Sequence, residues 1–199
     1  MNPYGVVENF ESEVCKYTGA RYCVTTNSCT MALLLACKFE LPARGDVVEI
    51  PKRTYVSVPM SIIHAGGRVT FRDDDWVGSY RLWPLGVWDC ARWFTAGMYA
   101  PNTFQCVSFH ASKTLGDTQG GAILHDNDEA DAWFRRMRFD GRTAGVAPKD
   151  DDIKEVGYHC YMSSDVAARL LLKFYSLPDF NAPLPNDDYP DLSLMEVFK

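Results

Sequence analysis

What most constrains the fold of this chain is an alternation. Short apolar runs of strand type trade places with stretches of helical spacing along nearly the whole sequence. Residues 7–17, VENFESEVCKY, alternate charge and bulk at helical spacing, with Gly19 as the expected stop. A β-like run at 22–25 leads through a polar turn at 26–28 into a strongly apolar helix at 30–39. A strand at 46–51, a helical stretch at 54–66 interrupted by Pro59, and a strand at 68–73 follow. Further apolar runs occupy 85–89, 104–109 and 122–124. Helices are predicted at 127–141, with Asn127 as N-cap and Gly141 as stop, and at 163–177. This order predicts an α/β protein with a mostly parallel sheet and helices on both faces. In such sheets ligands sit beyond the carboxyl ends of the strands. Residues 27–30, Thr54 and Tyr55, Asp89, and 108–113 all directly follow strand-like runs. One site is thereby expected to receive hydroxyls, an aromatic ring, a carboxylate and an amine.

The amine is the most specific of these. In VSFHASKTLGDTQGG, residues 107–121, Lys113 follows the end of an apolar strand and precedes a turn rich in glycine and threonine. A lysine there is either a solvated charge guarding a sheet edge or an amine held where it acts as a nucleophile. A second feature is the helix start at Ser28, Cys29 and Thr30, where unpaired N–H groups and the positive end of the helix dipole suit a phosphate.

Composition removes several classes. At 199 residues, 47% hydrophobic and 23% charged, the chain suffices for one good-sized core. A net charge of −6 argues against non-specific nucleic-acid binding, and the cluster Arg135, Arg136 and Arg138 reads as a solvated helix face. Seven cysteines show neither CxxC pairs nor zinc spacing, as expected of reduced thiols in a cytosolic protein. His64, His110, His125 and His159 form no metal-ligand spacing, so no metal is expected. No signal peptide is expected at the N-terminus, and no apolar run approaches the roughly 18 residues of a membrane span. GxGxxG, P-loop and GxSxG motifs are absent.

A lysine, a carboxylate, an aromatic face and a helix-terminus anion site are the set that pyridoxal 5'-phosphate (PLP) requires. Lysine binds the aldehyde, Asp keeps the pyridine nitrogen protonated, an aromatic ring stacks, and the helix N-terminus takes the phosphate.

At this point a resemblance becomes specific. YTGARYCVTTNSCTMALLLA, VVEIPKRTYVSVPMSIIHAGGRVTF, VWDCAR, CVSFHASKTLGDTQGGAILHD and MRFDGR occur in this order, and VGYHCYMSSDVAARLLL follows them. Together they resemble the DegT/DnrJ/StrS family of PLP-dependent sugar aminotransferases over about residues 7–177, and most of all its abbreviated, phage-like members. The resemblance implies the three-layer large domain of the PLP-dependent aspartate aminotransferase fold (fold-type I). It implies Lys113 as the cofactor lysine, Asp89 as the pyridinium partner and Ser108 as a phosphate ligand. Tyr55 takes the ring-stacking position, Cys29 and Thr30 offer backbone N–H groups beside Ser28, and Arg92 stands where relatives carry Gln or His. His159 replaces an Asn that reaches the phosphate of a neighbouring subunit. Lys113 also implies transamination, since sugar-dehydrating members carry a His there.

The departures are equally plain. Full family members are roughly twice as long, and only about a dozen residues here separate FRDDD from VWDCAR. The expected organisation is a reduced PLP-binding domain over 1–177 and a loosely packed or interface tail over 178–199, with the C-terminal small domain absent. The implied function is PLP-dependent amino transfer to a nucleotide-linked keto-sugar, with Glu or Gln as donor, in a cytoplasmic homodimer (in the host cytoplasm if phage-encoded). Two alternatives stay open: a degenerate, non-catalytic PLP-fold assembly protein, and a PLP enzyme acting on a small amino acid.

Overall fold

The computed structural model describes residues 4–41, 43–186 and 189–199. Helix α1 (Gly5–Thr18) buries Val7, Phe10, Glu11 and Val14, one stripe at helical spacing, and ends on Gly19 at φ 82°. Strand β1 (Tyr22–Thr26) leads through the N-cap Ser28 into α2 (Cys29–Glu40). Residues 32–37 of α2 are buried without a break, so this helix has no solvent face over that span. Strand β2 (Val47–Pro51), α3 (Ser57–Ala65) and β3 (Arg68–Arg72) form a right-sized βαβ unit with parallel strands. Pro59 does not interrupt α3, contrary to expectation. The helix starts only at Ser57, which puts Pro59 in the first turn, where no intrahelical N–H is needed.

Strands β4 (Tyr80–Arg81), β5 (Val87–Asp89), β6 (Phe104–Ser108) and β7 (Gly121–His125) complete the sheet, followed by α4 (Asp128–Met137) and α5 (Ser164–Phe174). Asn127 caps α4 by accepting from the Ala130 N–H. The helix stops at Met137, four residues before Gly141. Gly141 serves instead as a close approach: at φ 77°, a Cβ on it would meet the Glu155 carbonyl at 2.0 Å.

The five-stranded sheet runs β1-β7-β6-β5-β4. Reciprocal hydrogen bonds between Glu49 and Trp83 (2.7 and 3.0 Å) attach the β2–β3 pair beyond β4. The α/β, three-layer expectation holds. The sheet, however, is mixed: β5–β6 is parallel, whereas β1–β7, β6–β7 and β4–β5 are antiparallel. The reason is local. Only loop residues 109–120 join β6 to β7 and 82–86 join β4 to β5, and a hairpin-type connection returns the chain antiparallel. Strands β1, β2, β5 and β6 still run the same way, so their carboxyl ends share one edge.

Alternate residues of the central strands feed two cores. Val24, Cys106 and Ile123 face α2, α3 and α4, while Cys23, Val107, Ala122 and Leu124 face α1 and α5. The described part of the tail is tied to the rest of the fold at two points. Leu184 N–H donates to the Arg92 carbonyl (2.9 Å), Leu192 N–H to the Lys52 carbonyl (2.9 Å), and the Leu192 side chain is buried.

Candidate active site

A cavity of about 390 Å3 opens where these carboxyl ends meet. Its first wall is the start of α2. Ser28 Oγ and its carbonyl both accept from the Met31 N–H, and the carbonyl also takes Ala32. The first-turn N–H groups of Cys29 and Thr30 have no acceptor within the helix. Burial pushes the Cys29 thiol well up, so its backbone rather than a thiolate is what it offers. Thr30 Oγ1 bonds Ser57 Oγ at 2.8 Å, and Ser61 Oγ donates to the carbonyls of Thr30 (3.1 Å) and Ser57 (2.8 Å), which ties α3 to α2. Gly121, opposite Thr26 and Ser108 in the sheet, touches this turn: a Cβ there would lie 2.4 Å from the Cys29 nitrogen. Only glycine lets β7 begin so near the helix start.

The floor is Asp89, the last residue of β5, whose carboxylate is buried. Oδ1 accepts from the Ala91 N–H (2.9 Å) and Oδ2 from the Tyr80 hydroxyl (2.8 Å), which is itself bonded to Thr54. Burial raises the Asp89 pKa; these two donors and the charge of Lys113 oppose the rise. Lys113 lies within electrostatic reach, half-buried after the β6 strand end, with its N–H donating to the His110 carbonyl at 2.8 Å. Its pKa is lowered by burial first and by the Arg92 guanidinium second, against the pull of Asp89. The loop carrying it is pinned by α5: Asp117 accepts from Arg169 Nε (2.8 Å) and Lys173 Nζ (3.0 Å).

Of the sequence-predicted residues, Ser28, Cys29, Thr30, Tyr55, Asp89, Arg92, Ser108 and Lys113 all line this one cavity. His159 does not. Its exposed ring bonds Asp140 (2.9 Å) and packs on Tyr161, away from the pocket. The sequence reading missed Tyr80, Ser57, Trp76 and Tyr189. Ser57 could have been found as a hydroxyl at a helix start. Tyr80, on a strand of two residues, and Tyr189, in the tail, carry no pattern that points to the site.

The donor set suits PLP. The cavity lies within the range of roughly 300–1,000 Å3 for small-molecule sites. The start of α2 brings first-turn N–H groups without an intrahelical acceptor to the cavity wall, and a buried carboxylate shares the cavity with a lysine whose proton affinity is reduced. Among the described residues no cluster of His, Cys, Asp or Glu suits a metal ion.

Comparisons with known proteins agree with this geometry. The model of the DegT/DnrJ/EryC1/StrS aminotransferase family matches residues 2–78 and 95–183. The dTDP-3-amino-3,4,6-trideoxy-alpha-D-glucose transaminase of Micromonospora megalomicea is 30% identical over 144 residues, 70% of this chain and 36% of that protein. The UDP-4-amino-4,6-dideoxy-N-acetyl-beta-L-altrosamine transaminase of Campylobacter jejuni is 23% identical, over 82% of this chain and 54% of its own. Among solved structures, AtS13 from Actinomadura melliaura superposes with a TM-score of 0.76 at 20% identity, covering 86% of this chain and 60% of that one. A DegT/DnrJ/EryC1/StrS aminotransferase from Brucella abortus gives 0.70 at 18% identity, covering 87% and 59%. These likenesses show the fold. The chain thus spans 36% and 54% of the two curated relatives and about 60% of the two structures. Residues 79–94, which carry Asp89 and Arg92, and 184–199 lie outside the family match. With the match extending over most of its length, the chain belongs to the DegT/DnrJ/EryC1/StrS aminotransferase family.

Proposed function

We propose that this pocket binds PLP and that the protein transfers an amino group to a nucleotide-linked keto-sugar, with Glu or Gln as donor. The observation that carries the reading is the convergence of Lys113, Asp89, Tyr55 and the α2 start on one cavity. PLP, when bound, supplies a carbonyl that condenses with amines and a pyridinium ring that withdraws electrons. The chain supplies everything else. The N–H groups of Cys29 and Thr30, with the hydroxyls of Ser28 and Ser108, hold a phosphate. Asp89, fixed in orientation by Tyr80 and Ala91, keeps a ring nitrogen protonated. Tyr55 offers a ring face for stacking.

Lys113 has two tasks. As a nucleophile its amine must be neutral, and burial together with Arg92 favours that state. With its amine free, Lys113 would take a proton from the donor's α-carbon and deliver it on the same face to the carbon that was the cofactor's carbonyl, so that the nitrogen stays with the cofactor. The Tyr80 hydroxyl and the Ala91 N–H, one on each oxygen, hold the Asp89 carboxylate in one orientation.

The dTDP- and UDP-linked amino sugars in the names of the relatives support a nucleotide-sugar acceptor. No helix among the described residues is long and apolar enough to cross a membrane, and we place the enzyme in the cytoplasm. His159, exposed and outside the pocket, is available to a second copy, and light scattering of the PLP-loaded protein is expected to give a dimer. The site itself is tested by adding PLP, reducing with borohydride and mapping peptides by mass. Pyridoxyl modification at Lys113 is expected. A protein left unmodified there overturns the reading.

A further inference from the structure

We propose that Tyr189 sets how large an amino-donor side chain the pocket admits on its side of the cavity, an inference that rests on the PLP reading of the same cavity. Tyr189 belongs to the segment outside the family match, yet its side chain lines the cavity. Its ring lies nearly parallel to Trp76 (6.1 Å between centroids, 17°) and edge-on to Tyr55 (6.4 Å). The Arg92 guanidinium sits 5.3 Å from its centroid, and Arg92 Nη1 donates to its hydroxyl at 3.2 Å. Trp76 is held in turn by its indole N–H on the Arg53 carbonyl (2.9 Å) and packs on Tyr80, the residue that orients Asp89. One continuous wall therefore runs from the floor of the pocket through Tyr80 and Trp76 to Tyr189.

The ring is anchored on both sides along the chain. Upstream, Leu184 is bonded through its N–H to Arg92 and through its carbonyl to the Gly78 N–H (3.0 Å). Downstream, Leu192 is buried, and Asp191 pairs with Lys52 Nζ at 3.2 Å. Arg92 lies in the other segment that the family model does not match, so both unmatched segments meet at this wall. A ring stacked between aromatic and guanidinium partners resists displacement more than a solvated side chain does. The cavity volume is what remains with that ring in place, and it lies near the lower end for small-molecule sites. A bulky donor side chain directed at this wall must then displace the ring or stay out.

The test uses stable reduced conjugates of PLP with glycine and with tryptophan, titrated by calorimetry into the full chain freed of cofactor. Wild type is expected to prefer the glycine conjugate by on the order of tenfold or more, the scale on which pocket size discriminates. Tyr189→Ala is expected to cut that ratio to roughly threefold or less by tightening the tryptophan conjugate, while Tyr189→Phe keeps the wild-type ratio. Tyr189→Leu, which retains an apolar contact for the tail, is read in the same way should the alanine variant fail to fold. Equal weakening of both conjugates in the variants would reduce Tyr189 to an anchor for the tail, and absence of a preference in wild type would also overturn the inference. If PLP alone does not bind wild type, the cofactor reading falls and takes the inference with it. If PLP binds and the ratio does not respond to Tyr189, the inference alone is wrong.

Discussion

Glu11 carries a charge into the core, and Glu11→Gln isolates what that charge does. The side chain is 4% exposed. Oε1 accepts from the Thr25 N–H (2.9 Å), the Thr25 hydroxyl (2.7 Å) and Arg138 Nη1 (2.5 Å), and Oε2 from Arg135 Nη1 (2.8 Å). Helices α1 and α4 and strand β1 are thus joined through one carboxylate. Burial by itself would raise the Glu11 pKa; the two arginines and the Thr25 N–H overcome it and bring the value from 4.5 to about 2. At about 1.4 kcal/mol for each tenfold change in proton affinity, that corresponds to about 3 kcal/mol of stability at neutral pH. The folded-state pKa is depressed, so this stability is present above 4.5 and is lost as pH falls through about 2. Removing the charge also takes from the largely buried Arg138 the carboxylate it pairs with, and breaking a buried pair on one side usually costs roughly 3–5 kcal/mol. With an m-value of about 2 kcal/mol/M, the urea midpoint of Glu11→Gln should drop by roughly 1.5 M at pH 7. The gap to wild type should close as the pH approaches 2. Equal midpoints at pH 7, or a gap that stays constant into acid, would refute the reasoning.

Lys113→Ala should abolish borohydride-fixable PLP and lower amino transfer by orders of magnitude, with a thermal midpoint close to wild type, because the side chain contributes little packing. Ser108→Ala should weaken PLP binding by roughly 1–3 kcal/mol in a titration without unfolding the chain, and an unchanged affinity would remove Ser108 from the cradle. Gly121→Ala places a methyl 2.4 Å from the Cys29 nitrogen. It should cost roughly 1–3 kcal/mol of stability or more, and proportionally more in PLP affinity, measured by denaturation and titration side by side.

The positions of the candidate chemical groups along the cavity were readable from sequence, whereas the residues that pack around and orient them were not. Asp89 and Ser108 each end a strand and Lys113 lies in the loop that follows one, so their positions followed from the strand pattern. Ser28 was found because a helix start announces itself by its cap. Strand direction escaped the reading, because it depends on whether 109–120 folds as a crossover or returns as a loop, and glycine-rich composition permits either. Tyr80 sits on a strand of two residues, too short for periodicity to register. Tyr189 enters the pocket only because a tail about a hundred residues beyond Asp89 folds back over it. His159 stands apart: the family pattern marks it for a neighbouring subunit, and within one chain its ring turns outward to Asp140.

The pairing of β1 with β7, Tyr22 opposite His125 and Thr26 opposite Gly121, has a consequence for biosynthesis. The cradle at the α2 start is completed by Gly120 and Gly121, which the ribosome adds long after Ser28 has emerged. Bringing such distant partners together carries a loop-closure cost that nearby contacts do not repay in advance. The nascent chain therefore displays the first-turn N–H groups of Cys29 and Thr30 until Gly120 and Gly121 have been made. On the proposed reading, cofactor capture would wait for β7: PLP would meet an assembled sheet and could not template the early steps of folding.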